Sequence, residues 1–314
     1  MKRILKSKKR LVFVLVALLV VAIIIVNAGF ALLMNFSVFK TNGAESFEKY
    51  IYGSVVQEDF EWFENKTENI STTNSEGKEI NAVKVTNQHI SHSYVIMCHQ
   101  YGGSPKTMGA YAKHFYELGF NLVLPEMRGH GQSAYKINSL GWQDSNDIKD
   151  WIAAIIESDE QARIVLFGVS TGACAVTLTA ADELPKNVRL AIVDSCYTSL
   201  EDVTREYIKN QTPFSAGLTA GFVSLFAKNK LGAALSEADV IPQLQEIELP
   251  IMFINGENDA AVPAVLSKKL YENCDAEGVE EVIIEGGTHG ANLKADPQAY
   301  WSAIDAFILN NLGI

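Results

Sequence analysis

A serine framed by two glycines, Gly168-Val169-Ser170-Thr171-Gly172, separates two kinds of chain. Residues 163–167 before it form a stretch of strand length that is apolar after Arg163 and includes the β-branched Ile164 and Val165, whereas residues 173–181 after it are mostly small and suit a closely packed helix. A chain that passes from buried strand to packed helix in five residues must turn sharply. The serine then takes a strained backbone conformation, and the positions two before and two after it must lack side chains that would collide. The helix that starts there aims unpaired amides and the positive end of its dipole at the serine. Two readings stay open at this point: an ordinary glycine-containing turn, or a serine displayed as a nucleophile at the head of a sheet.

The surrounding pattern sets the fold class. Continuous apolar strands are expected at 93–98, 121–125, 188–193, 251–255 and 279–284. Helices alternate with them at 108–118, 145–158, 264–274 and 296–311, the second with Trp151, Ile152, Ile155 and Ile156 facing inward. Such alternation implies an α/β fold with a mostly parallel sheet covered on both faces, and ligands bound beyond the carboxyl ends of its strands. No strand is expected between Tyr197 and Leu249. Helices at 200–209 and 216–231 make 198–248 a small helical cap, or else two ordinary surface helices. Upstream, 55–63 and 79–86 read as strands joined by a turn at 71–78, and 35–54 as a linker or helix that Phe47, Tyr50 and Ile51 dock on the body.

Charge is unevenly placed. The net charge is −11, but six of the 26 basic residues precede Leu11 and no acid occurs before Glu45. The remainder therefore sets 20 basic against 37 acidic residues, which argues against nucleic acid as a partner. After the basic tail at 1–10, sixteen apolar residues run from Leu11 to Val26; Asn27 interrupts, and the run resumes to Met34. Residues 11–34 are long enough to cross a bilayer as an uncleaved signal-anchor, with the N-terminus inside and the body, 55–314, outside. The rival is a signal peptide cut near Val26-Asn27-Ala28. Cys98, Cys174, Cys196 and Cys274 read as small buried hydrophobes, and no group has metal-ligand spacing. The sequons at Asn65, Asn69 and Asn210 are too common a pattern to weigh.

Five segments at strand ends carry a resemblance. They are Cys98-His99-Gln100-Tyr101-Gly102-Gly103-Ser104, Pro125-Glu126-Met127-Arg128-Gly129-His130-Gly131-Gln132-Ser133, the serine turn, Gly256-Glu257-Asn258-Asp259-Ala260-Ala261-Val262-Pro263, and Gly286-Gly287-Thr288-His289-Gly290. In this order the chain resembles the α/β-hydrolases of the serine type, from about residue 92 to 312. The resemblance implies an acyl-enzyme mechanism without metal or organic cofactor, on a small-molecule or peptide acyl substrate, with ester hydrolysis ahead of peptide or amide cleavage and acyl transfer. A hydrolase fold used as a non-catalytic binding module is the competing class.

The chemistry can be argued from the residues as well. A serine hydroxyl needs an imidazole base, and His289 alone of the six histidines follows Ser170 in the chain. The base needs a buried carboxylate. Asp259 stands at the position the resemblance implies, with Asp194 and Glu257 as rivals; Asp194 is expected to organise the turn Ser195-Cys196-Tyr197. The oxyanion hole is expected from the amides of Thr171 and, by resemblance, Tyr101. Here the chain departs from the pattern: Gln100 stands where glycine is usual, so Gln100 and Tyr197 are candidate substrate contacts. His99 is expected to orient its loop, and Arg128 to pair with a carboxylate.

Overall fold

The computed structural model describes residues 2–38, 57–211 and 215–313. The expected docking residues Phe47, Tyr50 and Ile51 lie outside them. An eight-stranded sheet forms the body, in the order β1-β2-β4-β3-β5-β6-β7-β8. Its strands are β1 (Glu68–Thr73), β2 (Glu79–Val85), β3 (Ser93–Cys98), β4 (Asn121–Pro125), β5 (Arg163–Val169), β6 (Val188–Asp194), β7 (Ile251–Gly256) and β8 (Glu280–Ile284). From β4 to β8 all neighbours are parallel, whereas β1 and β2 add an antiparallel hairpin at the β4 edge.

The period-two alternation of each buried strand feeds two cores. In β5, Ile164 and Leu166 join one cluster, while Val165, Phe167 and Val169 join the other. Helices α4 (Asp144–Ser158) and α5 (Thr171–Ala180) cover the first face. Helices α3 (Gly109–Glu117) and α10 (Pro297–Leu312) cover the second, with a single turn α9 (Asn292–Ala295) before α10, whereas α8 (Ala264–Glu272) lies beside β7 and β8 with Leu270 in the first cluster. Apolar side chains removed from water on both faces are worth about 1.5–3 kcal/mol each, so the central strands are the most firmly held part of the molecule. All four cysteines are free and buried.

One expected element is replaced. Residues 55–63 read as a strand, yet the chain is helical over α2 (Gln57–Lys66). No β-branched residue occurs in that stretch and four acids do, which favours helix over strand. Trp62 then stacks edge-on against Tyr116 of α3 at 5.1 Å, and Phe63 is buried. The strand that does precede β2 is β1, a half-exposed edge strand whose pairing, not its pattern, holds it in place.

Helix α1 (Lys2–Val38) contains a 22-residue segment, Val12–Leu33, long and apolar enough to cross a membrane. Helices stand at both expected places, as α6 (Leu200–Gln211) and α7 (Ala216–Leu231). The two ends of this insertion meet where Ser199 and Asp239 pair as an isolated antiparallel bridge. α1 packs along α7.

Candidate active site

The serine turn sits at the end of β5, the strand flanked by β3 and β6 near the middle of the sheet. Ser170 has φ +54° and ψ −113°, a conformation strained for a residue with a side chain. The two glycines explain how the turn closes. A Cβ on Gly168 would lie 2.3 Å from the Gly172 carbonyl oxygen, and one on Gly172 would lie 2.1 Å from the Cys98 carbonyl oxygen. Both obstacles are backbone, so neither can swing aside. The Ser170 amide donates to the Asp194 carbonyl at 2.8 Å, which ties the turn to β6.

Ser170, His289 and Asp259 come together although they are far apart in the chain. Ser170 Oγ lies 2.7 Å from His289 Nε2, and His289 Nδ1 lies 2.8 Å from Asp259 Oδ2. An ionised Asp259 can only accept, so Nδ1 carries the proton and Nε2 accepts from the serine hydroxyl. The other Asp259 oxygen accepts from the amides of Ala261 (2.9 Å) and Val262 (2.7 Å). The carboxylate is therefore satisfied on both sides, and its orientation is set by backbone.

The acid and histidine loops hold each other. Asn258 N donates to the Gly287 carbonyl at 2.8 Å, and Glu257 Oε2 accepts from Gly286 N at 3.1 Å. Glu257 thus braces the histidine loop and does not reach the imidazole. Gly256 and Gly287 touch backbone to backbone, and the Asn292 side chain fills the space beneath both. The amide of Asn292 donates to Asp194 Oδ1 at 2.6 Å.

Asp194 occupies a separate, fully buried cage. Ser195 Oγ donates to Oδ1 at 2.9 Å and the Tyr300 hydroxyl to Oδ2 at 2.9 Å. Ser195 has φ +59°, in keeping with the turn that Asp194 was expected to organise. Burial pushes the Asp194 carboxyl up to about 6, against the pull of those three donors. Asn292 and Tyr300 carried no motif; their contribution depends on α9 and α10 folding back under the sheet.

The loop after β3 is pinned by two histidines. His99 Nδ1 meets the Gln100 carbonyl at 2.9 Å, so Nε2 is left to accept from Met127 N at 3.1 Å. His130 Nδ1 faces the Arg128 carbonyl at 3.1 Å, and Nε2 accepts from Gly102 N at 2.9 Å. Burial, and then the neighbouring His99, push the His130 imidazole down to about 3. Gln100 is buried. Its side chain turns back against Gly103, where an added Cβ would meet Gln100 Cδ at 3.2 Å. The place of the missing glycine is thus filled by a side chain folded into its own loop. Tyr101 is on this loop, and Thr171 opens α5, where an amide has no intrahelical acceptor.

Tyr197 is not brought to the site mouth: it is buried, and its hydroxyl donates to the Leu140 carbonyl. That bond positions a loop crossing behind the elbow, in which a Cβ on Gly141 would lie 2.2 Å from the Thr171 carbonyl oxygen. Arg128 pairs with Asp147 (Nε to Oδ2, 2.8 Å) and Glu76 (Nη2 to Oε1, 2.6 Å), bracing the second loop from below. Among the described residues no group of three or more His, Cys, Asp or Glu side chains is arranged to hold a metal ion.

The 198–248 insertion touches this arrangement at one loop. Asn210 of α6 donates to the Ala260 carbonyl in the acid loop at 3.0 Å. Burial, then the electrostatic influence of Tyr207 on α6, raise the Tyr101 phenol. At the far end of the cap, Gln143 Nε2 donates to the Leu231 carbonyl at 3.0 Å.

Comparison with known proteins agrees with this architecture. A family model described as serine aminopeptidase, S33, matches residues 90–235. The uncharacterized protein YqkD of Bacillus subtilis is 22% identical over 224 residues, covering 71% of this chain and 73% of its own. The bifunctional esterase/perhydrolase DCH of Acinetobacter calcoaceticus is 25% identical over 198 residues, covering 49% of this chain and 70% of its own. Among solved structures, the Pyrococcus furiosus esterase Pf2001 superposes with a TM-score of 0.67 at 18% identity, covering 82% of this chain and 94% of that one. With a mostly parallel sheet of this order and a strained serine turn after β5, the chain has the α/β-hydrolase fold.

Proposed function

We propose that this protein is a membrane-anchored serine esterase in which Ser170, His289 and Asp259 form the catalytic triad. The observation that carries the reading is the unbroken relay from Ser170 Oγ through His289 to Asp259, at 2.7 and 2.8 Å. Ser170 Oγ attacks the acyl carbonyl while His289 Nε2 takes its proton; Asp259 holds the imidazole and balances the imidazolium. The negative charge on the carbonyl oxygen is met by the amides of Thr171 and Tyr101, each worth about 3 kcal/mol. His289 returns the proton to the leaving alcohol. Water, deprotonated by the same imidazole, then releases the acid. The strain at Ser170 and the two histidines that pin the loop after β3 support the reading, because both fix reacting groups before substrate arrives.

The test is labelling with a fluorophosphonate probe. Wild type is expected to label and Ser170→Ala to stay dark; folded protein dark in both would leave a binding module. A second reading, peptide or amide cleavage, is favoured by the description of the matching family model. Parallel assays on acyl nitrophenyl esters and aminoacyl anilides decide between the two. The reading puts the N-terminus inside and the hydrolase body outside, and the six basic residues before Leu11 support that orientation. Resistance to alkaline carbonate extraction supports an anchor, and a mature protein beginning near Ala28 or Gly29 would refute it.

A further inference from the structure

The polar residue that interrupts the apolar span has a specific partner. Asn27 is buried, donating through Nδ2 to the Ile23 carbonyl at 2.8 Å and accepting through Oδ1 from Thr219 Oγ1 at 2.7 Å. Thr219 lies on the cap helix α7 and is itself fully buried. Ala31, one turn beyond Asn27, joins the same apolar cluster as Ala220, Val223 and Ala227 of α7. Small residues at such a seam let two helices approach closely, and a side-chain hydrogen bond across it is the usual way a polar group is tolerated in a span.

The contact fixes depth. Asn27 is six residues from the end of the Val12–Leu33 segment, which is roughly 9 Å along a helix. A residue bonded to it lies at a similar level, inside the outer half of the bilayer. The composition of α7 suits that level. Residues 216–227 contain no charged side chain, and Lys228 and Lys230 are confined to the last turn. Its outward face presents Leu218 (38% exposed) and Leu225 (63% exposed), with Phe222 and Phe226 half-buried between them. α1, whose apolar side chains from Val12 to Val26 are also exposed, packs along α7, so the span and the cap both present apolar residues to the outside. The cap in turn reaches the acid loop through Asn210 and comes close to the oxyanion loop at Tyr207.

From this arrangement we infer that α7 lies in the outer leaflet beside α1, its Leu218–Leu225 face in contact with lipid acyl chains, and that the site takes its substrate from the membrane as a long-chain acyl ester. The inference rests on the anchor and esterase readings above. It makes the cap the membrane-facing wall of the site, with the Asn27–Thr219 bond as the latch that sets its height.

The test uses the full chain reconstituted in phosphatidylcholine–phosphatidylglycerol vesicles, with a nitroxide placed singly by Ile25→Cys on α1, Leu225→Cys on α7 or Leu309→Cys on α10. Expected is relaxation by oxygen, with protection from a water-soluble nickel chelate, at both 25 and 225, and the reverse at 309. Lipid contact at 25 with water contact at 225 would overturn the inference and leave the anchor standing. Water contact at both would overturn the two together. Spin–spin broadening at 225 would put a second copy of the chain on this face and also overturn it. For the substrate, Leu225→Glu is expected to lower turnover of a vesicle-borne long-chain ester at least tenfold relative to a soluble short-chain ester. An unchanged ratio, with fluorophosphonate labelling retained, would refute the lipid route without touching the triad.

Discussion

Replacing Asp194 by asparagine removes a charge that the fold holds at a cost. The carboxyl is fully buried, and its ionisation moves from 3.8 to about 6 because burial outweighs the donors from Ser195, Asn292 and Tyr300. A shift of about two units corresponds to about 3 kcal/mol between the protonated and ionised forms in the native state. Because the folded value is the higher one, the native state binds the proton more tightly. The associated stability is complete below pH 3.8 and is lost as pH rises through about 6. Asparagine resembles the protonated acid: its oxygen accepts from Asn292 and Ser195, and its NH2 faces the Tyr300 oxygen. Asp194→Asn should therefore gain on wild type by about 3 kcal/mol between pH 4 and pH 7, read from urea midpoints of the full chain in detergent followed by tryptophan fluorescence. A difference that is flat with pH, or that shrinks as pH rises, would refute the reasoning, because it would mean that the three donors outweigh burial. Activity supplies the second axis. Asp194→Asn should keep kcat/KM within about tenfold, whereas Asp259→Asn should lose about 10³–10⁴ through the wrong imidazole tautomer. The opposite order, with both variants folded, would make Asp194 the acid of the triad.

Gly172→Ala puts a methyl 2.1 Å from the Cys98 carbonyl oxygen, so the serine turn and the loop after β3 must part; kcat should fall about 100-fold with an unchanged circular dichroism spectrum. Arg128→Met leaves the buried Asp147 carboxylate without its cation, the Asn74 amide remaining, and should cost about 3 kcal/mol, seen as a Tm lower by about 10 °C in a calorimetric scan. The His130 ring, held near 3 by burial and His99, should show no protonation shift by NMR between pH 5 and 8; a titration in that window would mean that its bond from Gly102 is not kept.

Much of the site was legible because each of its parts lies in a short segment with its own constraint. The glycines around Ser170 are local requirements of a tight turn, and the structure shows the backbone atoms that enforce them. His289 was found by chain order, and Asp259 by its place after β7. Local signals failed where partners come from elsewhere. Residues 55–63 read as strand, and only docking of Trp62 and Phe63 against α3 reveals the helix over Gln57–Lys66. Tyr197 looked available after β6, yet its hydroxyl serves Leu140, 57 residues away. Asn292 and Tyr300 had no pattern to announce them, since a lone amide and a lone phenol acquire a role only when a buried carboxylate arrives beside them.

The division has a physical basis. Hydrophobic period, turn chemistry and chain order are properties of neighbouring residues, so the α/β class, the strand–turn–helix at Ser170, the apolar span and the two cap helices could be read in one dimension. Hydrogen bonds and close packing between remote segments depend on how loops cross, and no local pattern encodes that. Only the tertiary structure could decide which carboxylate meets His289, where the Gln100 side chain goes, and that Asn27, an interruption in the apolar run, is bonded to Thr219 of α7.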